Sequence, residues 1–159
     1  MVGTTSTTFA PKDTLTRAML VTVLYRMAGS PAVDAPSGFT DVADGQWYSD
    51  AIAWAAANGI VNGVSETSFD PDAAITREQM AAILYRYAAY WELDVSAEAD
   101  LSAYADASSV SGYAQAAMQW AVANGVINGT SATTLEPAGT ATRAQAATVL
   151  VRFQNSMKS

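Results

Sequence analysis

Three arginines in an acidic chain each follow a threonine, and a guanidinium fork at such a step is suited to holding a carboxylate. They are Arg17, Arg77 and Arg143, after Thr16, Thr76 and Thr142, and each has a second arginine nine residues on, at Arg26, Arg86 and Arg152. These six sit among only eight basic residues, against fifteen acidic ones and a net charge of −7. Threonine before a helical run is an N-cap, so the first set stands in the first helical turn. The positive end of the dipole opposes a cation there by about 0.3–1 kcal/mol. Beside free backbone N–H groups, such a guanidinium would recruit an anion. The alternative is an internal salt bridge to Asp41 or Asp106. The second set falls near helix ends, where the dipole favours it, and needs only a structural role.

Other chemistry is thinly represented. The chain has no cysteine and no histidine, which removes disulfides, thiolate zinc sites and imidazole acid–base work. The acidic balance argues against nucleic acid, because phosphate binding needs a basic field, and against an anionic membrane surface. No apolar run approaches the roughly 20 residues that span a bilayer. A glycosidase would need a placed carboxylate pair, but the acids lie in repeated turns, where they are normally solvated. Asp70-Pro71-Asp72 lacks the ligand ladder of a calcium loop and reads as a turn. No catalytic residue, metal site or cofactor is expected. The opening MVGTTSTTFAP has neither a basic nor an apolar signal region, so for an exported protein that signal would lie outside this sequence.

The elements that position the arginines come from an internal repeat. A shift of 60 lays the segment from Gly3 on the segment from Gly63, and a further 66 lays that on the segment from Gly129. A second module, from Phe39 and again from Tyr104, precedes the later two copies only. The organisation is a back half over residues 1–38, then full units over 39–103 and 104–159, together one structural domain. Each back half reads as loop, cap and helix. Gln79 and Gln145 complete capping boxes with Thr76 and Thr142, while Met19 leaves the first box half made. Apolar stripes follow at Leu20, Val23, Leu24 and Met27; at Met80, Ile83, Leu84 and Tyr87; and at Ala146, Val149, Leu150 and Phe153. Each front half reads as an acidic turn and a short alanine-rich helix, stopped at Asn58-Gly59 and Asn124-Gly125. Trp54 and Trp120 fall on apolar helical faces and read as core. No strand alternates convincingly, and the class is all-α.

The combined pattern resembles the S-layer homology domain, a bacterial surface module that usually comes as three tandem motifs. The middle unit carries it through Phe39, Asp41, Trp47-Tyr48, Gly59, Gly63, Phe69, Pro71, Ile75-Thr76-Arg77, Leu84 and Arg86. The third does so through Tyr104, Asp106, Trp120, Gly125, Gly129, Pro137, Thr142-Arg143 and Gln145; the first only through Gly3, Phe9, Pro11 and Thr16-Arg17. The resemblance implies a pseudo-threefold assembly of tandem helix-loop-helix repeats around a central three-helix bundle, with grooves between neighbouring motifs. It implies non-covalent anchoring of exported proteins to the cell wall, outside the bacterial cell. The implied partner is a pyruvylated secondary cell-wall polysaccharide, a peptidoglycan-associated polymer whose ketal carries a carboxylate. Carried over by position, the ligand-binding arginines are Arg17, Arg77 and Arg143, the groove aspartates Asp41 and Asp106, and the loop glycines Gly3, Gly63 and Gly129. Trp47 would offer a sugar-stacking face, set against a core role. The first front half is missing and glutamate is replaced by Met19, Gln79 and Gln145, with Glu78 nearby. Arg77 and Arg143 have a front half before them and Arg17 does not, so the later two are favoured. The competing reading is a protein-interaction fragment that self-associates through its incomplete repeat.

Overall fold

The computed structural model describes residues 14–33, 37–43, 45–63, 65, 67–93, 95–127 and 134–157. Among them, five α-helices run in the order α1 (Arg17–Met27), α2 (Ser49–Ala57), α3 (Arg77–Tyr90), α4 (Gln115–Ala123) and α5 (Arg143–Met157). Two short 3-10 turns, Ala107–Ser109 and Gly112–Ala114, lead into α4. No strand occurs among the described residues, and the protein is all-α as the sequence implies.

The helix starts follow the cap chemistry read from the sequence. Thr76 and Gln79 exchange both bonds of a capping box, and Thr142 and Gln145 do the same at 3.0 and 3.1 Å. Thr16 Oγ1 accepts from Met19 N at 3.2 Å, but Met19 cannot return the bond. Both front-half helices end where expected, with Gly59 at φ 72° and Gly125 at φ 68°. The stripes of α3 and α5 are buried throughout. That of α1 is shifted: Ala18, Leu20, Val21 and Leu24 are buried, while Val23 is half-buried and Met27 exposed. Arg26 lies in the last turn of α1. Arg86 and Arg152 do not, because α3 and α5 continue to Tyr90 and Met157. The dipole therefore accounts for Arg26 alone, since its effect is confined to the terminal turn.

Two compact units divide the chain, Leu15–Ala74 and Ile75–Ser159, with Thr14 belonging to the second. In the first unit α1 packs on α2, and Tyr25 meets Trp54 with ring centroids 5.6 Å apart. In the second α3 packs on α4, and Tyr85 meets Trp120 in the same way at 5.7 Å. Both tryptophans are buried, each contributing hydrophobic stabilisation of the order of 1.5–3 kcal/mol, typical of a large side chain. Phe153 of α5 closes on Tyr87 and Trp120 at 5.8 and 6.1 Å. Within the units, isolated antiparallel bridges join Thr16 to Ala74, Thr76 to Thr140 and Thr142 to Thr14. Each links an N-cap threonine to the residue two positions before another N-cap, and this register sets the site.

Candidate functional site

In the first unit, one loop residue is held from both sides. Phe69 donates its N–H to Asp41 Oδ1 at 2.9 Å, and its carbonyl accepts from Arg17 Nε at 3.0 Å. The next amide, Asp70 N, donates to Asp41 Oδ2 at 2.8 Å. Arg17 Nη2 reaches on to Asn62 O at 3.1 Å, and its guanidinium carbon lies 4.6 Å from the centroid of the Phe69 ring. The second unit repeats the arrangement. Leu135 N and Glu136 N donate to the two oxygens of Asp106 at 2.8 Å each, and Arg77 Nε donates to Leu135 O at 2.8 Å. The residues after the held position, Asp70 and Glu136, have φ of 63° and 49°. Such a left-handed step lets successive N–H groups converge on one anion. Here the anion is the chain's own carboxylate.

The helix N-termini are likewise occupied. Arg17 N and Ala18 N donate to Ala73 O and Pro71 O at 3.0 Å each, and Arg77 N and Glu78 N donate to Gly139 O and Pro137 O at 2.9 and 3.0 Å. With the next amide taken by the N-cap threonine, the orphan donors of α1 and α3 are satisfied by the following repeat. This corrects the expectation of free N–H groups beside Arg17 and Arg77. Any ligand there would meet side chains, because the N-terminal amides of α1 and α3 are taken.

The pairing of arginine with aspartate also differs from the sequence expectation. Arg17 and Arg77 each work with the front half that follows, so Arg17 belongs with Asp41 and Arg77 with Asp106. Arg17 therefore has a front half, contrary to the reading that set it apart. The arginines differ in reach: Arg17 is 6 % exposed and Arg143 is 1 % exposed, whereas Arg77 is half-buried. Phe69 offers Arg17 a covering ring; the matching Leu135 has none to lay over Arg77. Burial pushes the Arg77 pKa down, opposed by the charges of Glu136 and Asp106. Burial pushes the Asp41 carboxyl up, but the Phe69 and Asp70 amides and the Arg17 charge outweigh it and hold it below the usual carboxylate range. The Leu135 and Glu136 amides do the same for Asp106, aided by Arg77.

Gly63 is required for space. A Cβ there would collide with the carbonyl oxygens of Ser65 and Ser68 and with the Phe39 ring, so the loop closes only around glycine. Gly3 and Gly129 lie outside the described residues. Trp47 is 52 % exposed and stands edge-on to Tyr48, at 4.9 Å and 82°. Tyr48 is buried; burial and then the charges of Asp72 and Asp41 raise its pKa. Sequence reasoning passed over Tyr113, 54 % exposed and 66 positions after Trp47. The signal was available, since the same offset aligns Trp54 with Trp120. It also missed the partners of Glu78, whose carboxylate takes Ser111 N, Ser111 Oγ and Tyr113 Oη at 3.0, 2.6 and 3.2 Å. Trp91, at the C-cap of α3, is exposed beside Tyr87 and Tyr90.

Among the described residues, no group of three or more acidic side chains is placed to hold a metal ion. No described helix is long and apolar enough to cross a membrane. The chain is 38 % identical over 153 residues to the "Surface-layer 125 kDa protein" of Lysinibacillus sphaericus, covering 94 % of this chain and 12 % of that one. It is 36 % identical over 150 residues to an "Endoglucanase" of Bacillus sp. (strain KSM-635), covering 94 % and 16 %. A "Cellulosome-anchoring protein" of Acetivibrio thermocellus is 26 % identical over 83 residues, covering 50 % and 19 %. The chain thus spans less than a fifth of the length of each of these relatives. The family model for the S-layer homology domain matches residues 38–81 and 103–147. These two segments make up more than half of the sequence, and the chain belongs to the S-layer homology domain family.

Proposed function

We propose that this chain is a non-catalytic anchoring module that holds its parent protein at the bacterial cell surface by binding an anionic, pyruvylated secondary cell-wall polysaccharide. The observation that carries the reading is the half-buried Arg77, fixed through Nε to Leu135 O in a unit that also bears an exposed aromatic ring, Tyr113. A ketal carboxylate would meet the guanidinium while the sugar ring lies on apolar surface, and neither contact needs a basic field. Family membership supports wall anchoring, as do relatives named for surface layers and cellulosome anchoring. Enzymes such as the endoglucanase share this segment over a small part of their length, which fits an appended module better than a catalytic one.

The test is co-sedimentation with purified sacculi before and after removal of pyruvyl ketals. Binding is expected to fall at least tenfold on removal, and equal binding to both would end the carboxylate mechanism. Arg77→Ala is expected to weaken binding about tenfold with the fold retained, from the loss of one charge-assisted contact. A second reading, self-association, draws on the exposed Tyr90–Trp91 pair at the C-terminal end of α3. Sedimentation velocity across concentration separates the two, because a monomer at all concentrations leaves that pair without a role in assembly.

A further inference from the structure

Tyr113 occupies the register that Trp47 holds one repeat earlier. Both rings stand more than half exposed, at 54 % and 52 %. Their supports are different. Trp47 leans edge-on against Tyr48 at 4.9 Å. The residue after Tyr113 is Ala114, which has no ring to offer. Tyr113 is instead tied through its hydroxyl to Glu78 Oε2 at 3.2 Å.

Glu78 is built for that task. It is 8 % exposed, its N–H donates to Pro137 O at 3.0 Å, and its carboxylate also takes the amide and hydroxyl of Ser111. The residue matching Glu78 in the first repeat is Ala18, fully buried and without an acceptor in its side chain. Three residues thus change together between the repeats: Ala18, Trp47 and Tyr48 become Glu78, Tyr113 and Ala114. What survives the exchange is a supported, outward aromatic ring. A ring kept only for packing would be drawn into the core, where burial is worth most. A ring held at the surface by a dedicated acceptor keeps its apolar face available to another flat, weakly apolar surface.

We propose that Tyr113 is a sugar-stacking platform that takes the C–H face of a pyranose, and that Glu78 is the positioning residue that fixes its ring. The proposal rests on the polysaccharide reading above. It makes the two units unequal: the first presents an indole braced by a ring, the second a smaller phenol braced by a carboxylate.

The probe is sacculi of Lysinibacillus sphaericus with their polysaccharide retained, compared with the same sacculi stripped by hydrofluoric acid. The wild-type chain should bind the first and not the second. Tyr113→Ala should weaken binding about tenfold, and Tyr113→Phe and Glu78→Gln each by about two- to fivefold, since both keep the ring and lose its tie. Glu78→Gln should add nothing in the Tyr113→Phe background, where its hydroxyl partner is already gone; a purely structural Glu78 would weaken both backgrounds alike. If Tyr113→Ala does not fold, Tyr113→Leu decides, and binding by the Leu variant equal to that of the Phe variant would overturn the platform. Wild-type binding that ignores stripping removes the polysaccharide reading itself. Wild-type binding that needs the polysaccharide, with Tyr113→Ala unaffected, removes this inference alone.

Discussion

Arg17 and Asp41 take hold of the two polar ends of one residue, Asp41 accepting the N–H of Phe69 and Arg17 donating to its carbonyl. The two side chains act as a pair on that one residue. Here its main effect is exerted through a peptide backbone, and each charge satisfies a group that would otherwise be orphaned near the core. The same grip recurs at Leu135 with Arg77 and Asp106. A cation and an anion so placed stabilise a loop with a left-handed step, a conformation that costs of order 1–3 kcal/mol for residues other than glycine.

Arg17→Lys should destabilise the first unit by about 2–3 kcal/mol. Lysine cannot span Phe69 O and Asn62 O with a planar fork or lie flat over the Phe69 ring. Arg26→Ala, on an exposed helix end, should change stability by less than about 0.5 kcal/mol. Urea denaturation of both variants checks the contrast, and equal losses would remove the special role of Arg17.

Asp41→Asn should lower stability at neutral pH by under about 1 kcal/mol, since the carboxylate is exposed and screened. The sign with pH follows from its depressed pKa. A carboxyl held below its ordinary value contributes stability that is fully present above that value and is lost as pH falls through the folded one. The difference in Tm between wild type and Asp41→Asn should therefore be constant above about pH 5 and shrink as pH falls below about 4. A gap that widens in acid would contradict the assignment.

Gly63→Ala should cost more than about 2 kcal/mol, because the added carbon meets two carbonyl oxygens that cannot withdraw without opening the loop. Gly112→Ala, where nothing stands in the way, should be close to neutral. Thermal unfolding of both separates crowding from a general intolerance of glycine replacement.

Thr76→Ala and Thr16→Ala should each destabilise by about 1 kcal/mol, because each removes one Oγ1 acceptor, whereas Gln79→Ala should cost α3 a bond that Met19→Ala cannot cost α1. Amide hydrogen exchange at the first turn of α3 and of α1 reads each directly. The assignment fails if Met19→Ala exposes the first turn of α1 as much as Gln79→Ala exposes that of α3.

Helices were legible in the sequence because their signals are local. Caps at Thr76 and Thr142, stops at Asn58-Gly59 and Asn124-Gly125, and buried Trp54 and Trp120 all follow from residues within a few positions. The site was half legible. Repetition marked Arg17, Arg77 and Asp106 as worth attention, yet the bonds they make reach across 52, 58 and 29 positions. Side-chain bonds to distant backbone leave no periodic trace, so nothing in the order of residues told which half an arginine would serve. Tyr113 was missed for a simpler reason: a search for tryptophan passed over another aromatic at the same offset.

The forward register of the bridges has a consequence for how such modules can be exchanged. Thr16 pairs with Ala74 and Thr76 with Thr140, so a cut at a motif boundary parts each arginine from the loop it secures. A chimera joined at residue 39 would bring in a foreign loop to meet the native Arg17, and one joined between Ala74 and Thr76 would keep Arg17 with its own loop and carry Arg77 across with Leu135. Recombination that respects the written repeat breaks the working one, and the crossover that preserves fit lies just before α3, between Ala74 and Thr76.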